Sequence, residues 1–147
     1  MAQLRETRRI AVPIDQAFEY TANFANLQEW DPGIAASAKS SKGPVGLGSR
    51  FDVLATFGSR QIPMVYEITE FDRPHRVVLA GTGGALTAID EIRFTAVDGG
   101  TQVDYTADLE FSGLMRLFVP FLGGVLRRVG DKALDGLESR LGKLEAV

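Results

Sequence analysis

Apolar and polar residues alternate with a period of two through the middle of the chain. Residues 101–111 (TQVDYTADLEF) show it most cleanly. Val103, Tyr105, Ala107, Leu109 and Phe111 face one way, and Gln102, Asp104, Thr106, Asp108 and Glu110 the other. A strand with one buried and one solvated face reads this way. Residues 49–57 repeat the pattern with Phe51, Val53, Ala55 and Phe57, and residues 60–71 with Ile62, Met64, Tyr66 and Ile68. Pro63 demotes that second strand toward an edge or a bulge, because proline has no N–H for a ladder. Residues 34–41, 75–81 and 85–97 are three more strands, the last alternating toward Ile92 and Phe94. Turn signals separate them: residues 42–48, Gly58-Ser59, Asp72-Arg73-Pro74, Thr82-Gly83-Gly84 and Asp98-Gly99-Gly100.

The two ends read differently. Residues 3–12 make a first strand with Leu4, Glu6, Arg8 and Ile10 on one side, ended by Pro13. A short helix follows, with Asp15 as candidate N-cap and Ile14 and Phe18 on its apolar face. A second helical piece covers 24–30 and stops at Asp31-Pro32-Gly33. Beyond Ser112-Gly113, apolar residues recur at helical spacing from 114 to 144, so one long amphipathic helix is expected to about residue 145, kinked at Pro120. The order is strand, two short helices, six antiparallel strands, one long helix. Strands in a run with helices at the ends give an α+β domain. The apolar sheet face needs a cover, and only the last helix is large enough to supply it.

That helix opens on LMRLFVPFLGGVL, residues 114–126. Crossing a membrane takes about 20 consecutive apolar residues. Here Arg116 interrupts, and Arg127 and Arg128 close the run. A surface-lying amphipathic helix is an alternative. The paired Gly123 and Gly124 suit close backbone approach or a hinge, or are a tolerated irregularity beside Pro120.

Composition narrows the chemistry. The 147 residues suit one domain, 1–147, that needs no covalent staple. With no cysteine and one histidine, thiolate metal sites, thiol nucleophiles and multi-histidine centres within one chain are excluded. The net charge of −3 argues against nucleic acid as partner. MAQLRETRRI lacks the apolar run of a secretory signal, so a cytoplasmic protein, monomer or homodimer, is expected. The glycines at 43, 46 and 48 lack the lysine-serine ending and helix of a phosphate loop.

Three stretches carry a family resemblance: IAVPIDQAFEYTANFANLQEWDP, VYEITEFDRPHRVVLAG, and VDGGTQVDYTADLEF before the long helix. In this order the chain resembles the START-like (SRPBCC, Bet v 1-like) helix-grip superfamily, and within it the bacterial polyketide cyclase/dehydrase-like branch. The resemblance spans essentially the whole chain. It implies a curved antiparallel sheet of about seven strands wrapped around the C-terminal helix, with a deep apolar cavity between them. It points to a hydrophobic small-molecule ligand (polyketide, lipid or isoprenoid-like), and with the residues available no cofactor and no metal are expected. This fold hosts several activities, so an aromatic polyketide cyclase/dehydrase and a protein-interaction module are kept as alternatives.

Candidate site residues follow from the inward positions. From the strands these are Phe51, Val53, Phe57, Met64, Tyr66, Ile68, Ile92, Phe94 and Tyr105. From the last helix they are Leu117, Phe118, Phe121, Leu122 and Val125. Trp30 is expected to cap one end of the cavity. The phenols of Tyr66 and Tyr105 need hydrogen-bond partners if buried. Asp90 is the sharpest polar candidate. The Ile92, Phe94 alternation carried back two residues puts it inside, whereas a twist or bulge would turn it outward. Inside an apolar cavity its pKa would rise, fitting it as a general acid or base, with Tyr66 as the other catalytic candidate. Glu91 and Arg93 would pair on the solvent face, and His75 would sit in an exposed turn. Asp131 and Asp135, a turn apart, lack the further ligands of a metal site.

Overall fold

The computed structural model describes residues 2–57, 59–112 and 123–145. Seven strands form one antiparallel sheet: β1 (Ala2–Ile10), β2 (Ile34–Lys39), β3 (Arg50–Phe57), β4 (Arg60–Asp72), β5 (Arg76–Gly83), β6 (Leu86–Val97) and β7 (Gly100–Phe111). Their order is β1-β7-β6-β5-β4-β3-β2. Strands β2 to β7 are a simple meander. The chain between β1 and β2 must therefore cross from one sheet edge to the other. It does so through α1 (Ile14–Ala22), a 3-10 turn (Phe24–Asn26) and α2 (Leu27–Trp30). Helix α3 (Gly123–Glu145) packs along β1 and against α2. The sheet is a curved half-barrel and the fold is the α+β helix grip.

The alternation in β7 is kept along its length: Thr101, Val103, Tyr105, Ala107, Leu109 and Phe111 are buried and the residues between them face out. β6 buries Leu86, Ala88, Asp90, Ile92 and Phe94 on the same face. The β6–β7 turn is Asp98-Gly99, with Val97 opposite Gly100, which sets Asp90 opposite Ala107 and Ile92 opposite Tyr105. β4 keeps the period of two from Met64 to Ile68 and then breaks it. A bulge between Ile68 and Glu70 brings Phe71 to the inner face, opposite Val77. There the rings of Phe71 and Phe94 meet the Phe18 ring edge-on, both centroids 5.2 Å away. That cluster seats α1 on the sheet.

Three expectations are corrected. β4 is an interior strand, not an edge, and its bulge falls at Ile68–Glu70 rather than at Pro63. Its first residues, Pro63 among them, precede the first β5 pair, Val65 with Thr82, so the proline costs no β5 ladder bond. α1 begins at Ile14 with extended Pro13 as N-cap, and Asp15 lies inside the first turn. Its charge there still suits the helix dipole. The predicted second helix splits into the 3-10 turn and α2, because the Asn23 side chain accepts from the Ala25 N–H and starts the tighter turn.

α3 buries Ala133, Leu134, Leu137 and Leu141, a stripe at helical spacing. Its other faces carry Lys132, Glu138, Ser139 and Arg140. Asp131 and Asp135 both reach Arg8 of β1, at 3.3 and 2.9 Å, so this carboxylate pair ties the helix to the sheet edge. Gly136 allows closer contact still. A Cβ there would run into the Trp30 carbonyl oxygen, so the α3 backbone lies directly on the end of α2. The expected helix start at 114–122 lies outside the described residues.

Candidate functional site

Between the sheet, α2 and α3 lies a cavity of about 110 Å³. Leu86, Asp90, Tyr105, Ala107 and Leu109 of β6 and β7 form its floor. Met64 and Tyr66 of β4 form one side. Trp30, Asp31, Gly33 and Ile34 close one end, and Gly130, Ala133 and Leu134 of α3 cover it. The wall is mainly apolar. Its two acids, Asp31 and Asp90, have no Lys, Arg or His among the described lining residues.

Asp90 points inward and is 5% exposed. Strand parity put it there, and no bulge interrupts β6 between it and Phe94. Tyr105 is two positions along the β6–β7 ladder, so both side chains rise from the same face as diagonal neighbours. The Tyr105 hydroxyl donates to Asp90 Oδ2. Asp90 Oδ1 is buried with no hydrogen-bond partner among the described residues. Burial pushes the Asp90 carboxyl up to about 7; the Tyr105 hydrogen bond opposes this, and the negative charges of Asp31 and Asp108 add to it. Burial also raises the Tyr105 and Tyr66 phenols well above their ordinary value, reinforced by the Asp90 charge. Both phenols therefore stay protonated at neutral pH.

Tyr66 gets its place from a glycine. Its ring lies over Gly81 on the neighbouring strand, where a Cβ would come within 2.6 Å of the ring. Without a side chain at 81, the phenol lies across β5 toward β6 and the Asp90 carboxyl. Trp30 comes from the end of α2. Its ring meets Tyr105 edge-on at 6.3 Å between centroids, and it is 2% exposed. The indole Nε1–H is buried and without a partner among the described residues.

Asp31 was read from sequence only as part of a helix breaker. Its carboxylate accepts from the Gly33 N–H at 2.8 Å and shapes the turn into β2. Burial still raises its pKa, to about 6, against that hydrogen bond. The sequence signal was present: an acid directly after a tryptophan assigned to the cavity end. Leu86, Leu134, Gly130 and Ala133 also line the cavity without having been singled out.

The structure brings together Trp30, Met64, Tyr66, Asp90 and Tyr105. It places Phe51, Val53, Ile68, Ile92 and Phe94 in the surrounding core rather than on the cavity wall. Phe51 packs toward Phe24, whose ring also meets Tyr66 edge-on at 5.3 Å. Leu117, Phe118, Phe121 and Leu122 lie outside the described residues, as do the side chains of Phe57 and Val125. His75 is exposed in the β4–β5 turn. Glu91 joins Arg93 at 3.2 Å and Arg76 at 2.8 Å on the outer sheet face. Among the described residues no three acids or histidines converge as metal ligands would, and no helix is long and apolar enough to cross a membrane.

The arrangement can do two things. It can take up a small apolar group, somewhat below the benzene that a dry cavity of about 150 Å³ holds. It can also present a carboxyl that titrates near neutrality beside a protonated phenol, the pairing that proton transfer to and from carbon or oxygen requires.

Comparison with known proteins bears on both. Residues 1–142 match the family described as polyketide cyclase / dehydrase and lipid transport. No curated protein sequence matches significantly. Among solved structures, TTHA0849 from Thermus thermophilus superposes with a TM-score of 0.79 at 18% identity, over 97% of this chain and 98% of that one. The Zhui aromatase/cyclase of a Streptomyces species superposes with a TM-score of 0.77 at 14% identity, over 96% and 93%. Ara h 8.0201 gives 0.62 at 15% identity, over 96% and 97%. At these identities the superpositions speak for the shared helix-grip fold, while the match over residues 1–142 speaks for descent. This chain is a member of the polyketide cyclase/dehydrase and lipid transport family.

Proposed function

We propose that the protein binds a hydrophobic small molecule in the cavity between β4, β6, β7 and α3. The observation that carries this reading is the cavity itself, an apolar hollow kept open under a helix that elsewhere packs tightly on the sheet. Burying apolar ligand surface there gains about 25 cal/mol per Å². The hollow takes a small apolar piece, and a longer polyketide, lipid or isoprenoid chain would extend beyond it. Native mass spectrometry of protein purified from its own host, with extraction of what is released, tests this. The expected result is a stoichiometric apolar molecule. A clean unliganded mass, with no shift in melting temperature across polyketide and lipid panels, would refute it.

The Asp90–Tyr105 pair supports a second reading, a cyclase/dehydrase. In an aldol-type dehydration the Asp90 carboxylate would take the proton next to a carbonyl. The β-hydroxyl would then leave as water, taking a proton back from the carboxyl. The cavity would add orientation and exclusion of bulk water.

A further inference from the structure

Tyr66 is fixed by its neighbours and open at its tip. Its ring lies against the bare backbone of Gly81, where a Cβ would come within 2.6 Å, and meets the Phe24 ring edge-on at 5.3 Å. The side chain lines the cavity and is 8% exposed. Its hydroxyl has no hydrogen-bond partner among the described residues. Asp90 Oδ1 and Trp30 Nε1 are also unpaired but are closed off, whereas the Tyr66 oxygen keeps accessible surface. The other phenol of the wall, Tyr105, already donates to Asp90. Burial holds the Tyr66 phenol in its protonated form. A buried tyrosine hydroxyl ordinarily has a partner. Tyr66 is thus a donor fixed in place on an apolar wall and not yet used by the protein.

We infer that Tyr66 is the specificity-determining residue of the cavity, and that its hydroxyl donates to an uncharged carbonyl oxygen of the ligand. This rests on the cavity being the ligand site. A carbonyl accepts and has no proton of its own to place, so it asks nothing more of a mainly apolar wall. A carboxylate would also accept from Tyr66. It would do so beside Asp31 and Asp90, on a wall with no Lys, Arg or His among the described lining residues, and a buried charge without a partner is costly. An ammonium has three donors to satisfy. Asp90 meets it with one oxygen bonded to Tyr105 and the other closed off, and Asp31 with one oxygen engaged by the Gly33 N–H. Because Gly81 and Phe24 hold the ring before any ligand arrives, little side-chain freedom is lost on binding.

Small planar probes of one shape test the inference: acetone, isobutene, acetate and acetamidinium. They offer in turn a neutral acceptor, no polar group, an anion and a cation. Each competes at neutral pH with dissolved xenon, which occupies dry apolar cavities, and xenon NMR on the full-length protein reads the displacement. The comparison is wild type against Tyr66→Phe, which keeps the ring and removes the hydroxyl. Acetone should bind the variant about three- to tenfold more weakly, the worth of one neutral hydrogen bond. Isobutene and xenon should bind both proteins alike, which shows the hollow intact. The chain has three tyrosines, so the Cζ resonance of Tyr66 is assigned by its loss in the variant, and acetone should move it further than isobutene does. Acetate and acetamidinium should displace xenon at least about tenfold more weakly than acetone, since neither charge is paired there. A loss for acetone below about twofold, or an equal loss for isobutene, overturns the inference and leaves the cavity reading standing. So does xenon binding that none of the four displaces. Strongest displacement by acetate or acetamidinium overturns it in favour of an anion or a cation. No xenon binding in either protein overturns the inference together with the cavity reading.

Discussion

Asp90→Asn tests whether the buried carboxyl is what the geometry makes it. In the folded chain Asp90 titrates at about 7 rather than at the ordinary 3.8, because burial takes the carboxylate out of water. The difference is close to three tenfold steps, each worth about 1.4 kcal/mol, so the ionised form costs the fold on the order of 4 kcal/mol. The sign follows from proton counts. Between 3.8 and about 7 the folded chain holds this proton more tightly than the unfolded chain does. Its favourable contribution is therefore complete below the ordinary carboxylate range, falls as pH rises through that window, and is gone above it. Asparagine has no proton to lose, and it keeps a carbonyl oxygen for the Tyr105 hydroxyl, so the variant lacks this slope. Asp31 also titrates high by its own burial, which is present in both proteins, and its repulsion of the Asp90 carboxylate is part of the wild-type shift that the variant loses. In paired urea denaturations the stability of Asp90→Asn minus wild type should grow by about 3 kcal/mol from pH ~5 to pH ~8. For a domain of this size that is roughly 6 to 12 °C in melting temperature. A gap flat to within about 1 kcal/mol would mean that water or a cation reaches the carboxylate. A gap that narrows with rising pH would mean the folded state favours the charged form, and the account of the site would fail.

Two further predictions follow. Gly136→Ala should destabilise by about 2 kcal/mol or more, read as a lower urea midpoint, because the new methyl meets the Trp30 backbone carbonyl. The sign is decisive, since alanine in an open helix position would stabilise by about 1 kcal/mol. For the enzyme reading, Asp90→Asn should lower kcat for dehydration of a β-hydroxy ketone substrate by about a hundredfold or more. Substrate affinity should change far less, and equal losses in both would favour a pure binding role.

Much of the site was written in the chain at short range. The strict alternation of β7, and of β6 from Asp90 to Phe94, fixed which face each residue takes, because side-chain direction in a strand depends only on parity. The Asp98-Gly99 turn then fixed the β6–β7 register, and with it the nearness of Asp90 and Tyr105. The run of strands followed by one amphipathic helix determined the fold class, and three stretches of sequence carried the family. Local pattern could not show that the bulge at Ile68–Glu70 turns Phe71 inward, since the alternation alone sends it out. Nor could it separate cavity wall from core filler. Ile92 and Tyr105 face the same way, and only the docking of the helices over the sheet leaves Tyr105 against the hollow and Ile92 packed solid. Trp30 and Asp31 reach Tyr105 and Asp90 across the longest crossover in the fold, from β1 at one sheet edge to β2 at the other. Contacts that close such long loops depend on how whole elements dock, and no window of sequence contains both partners.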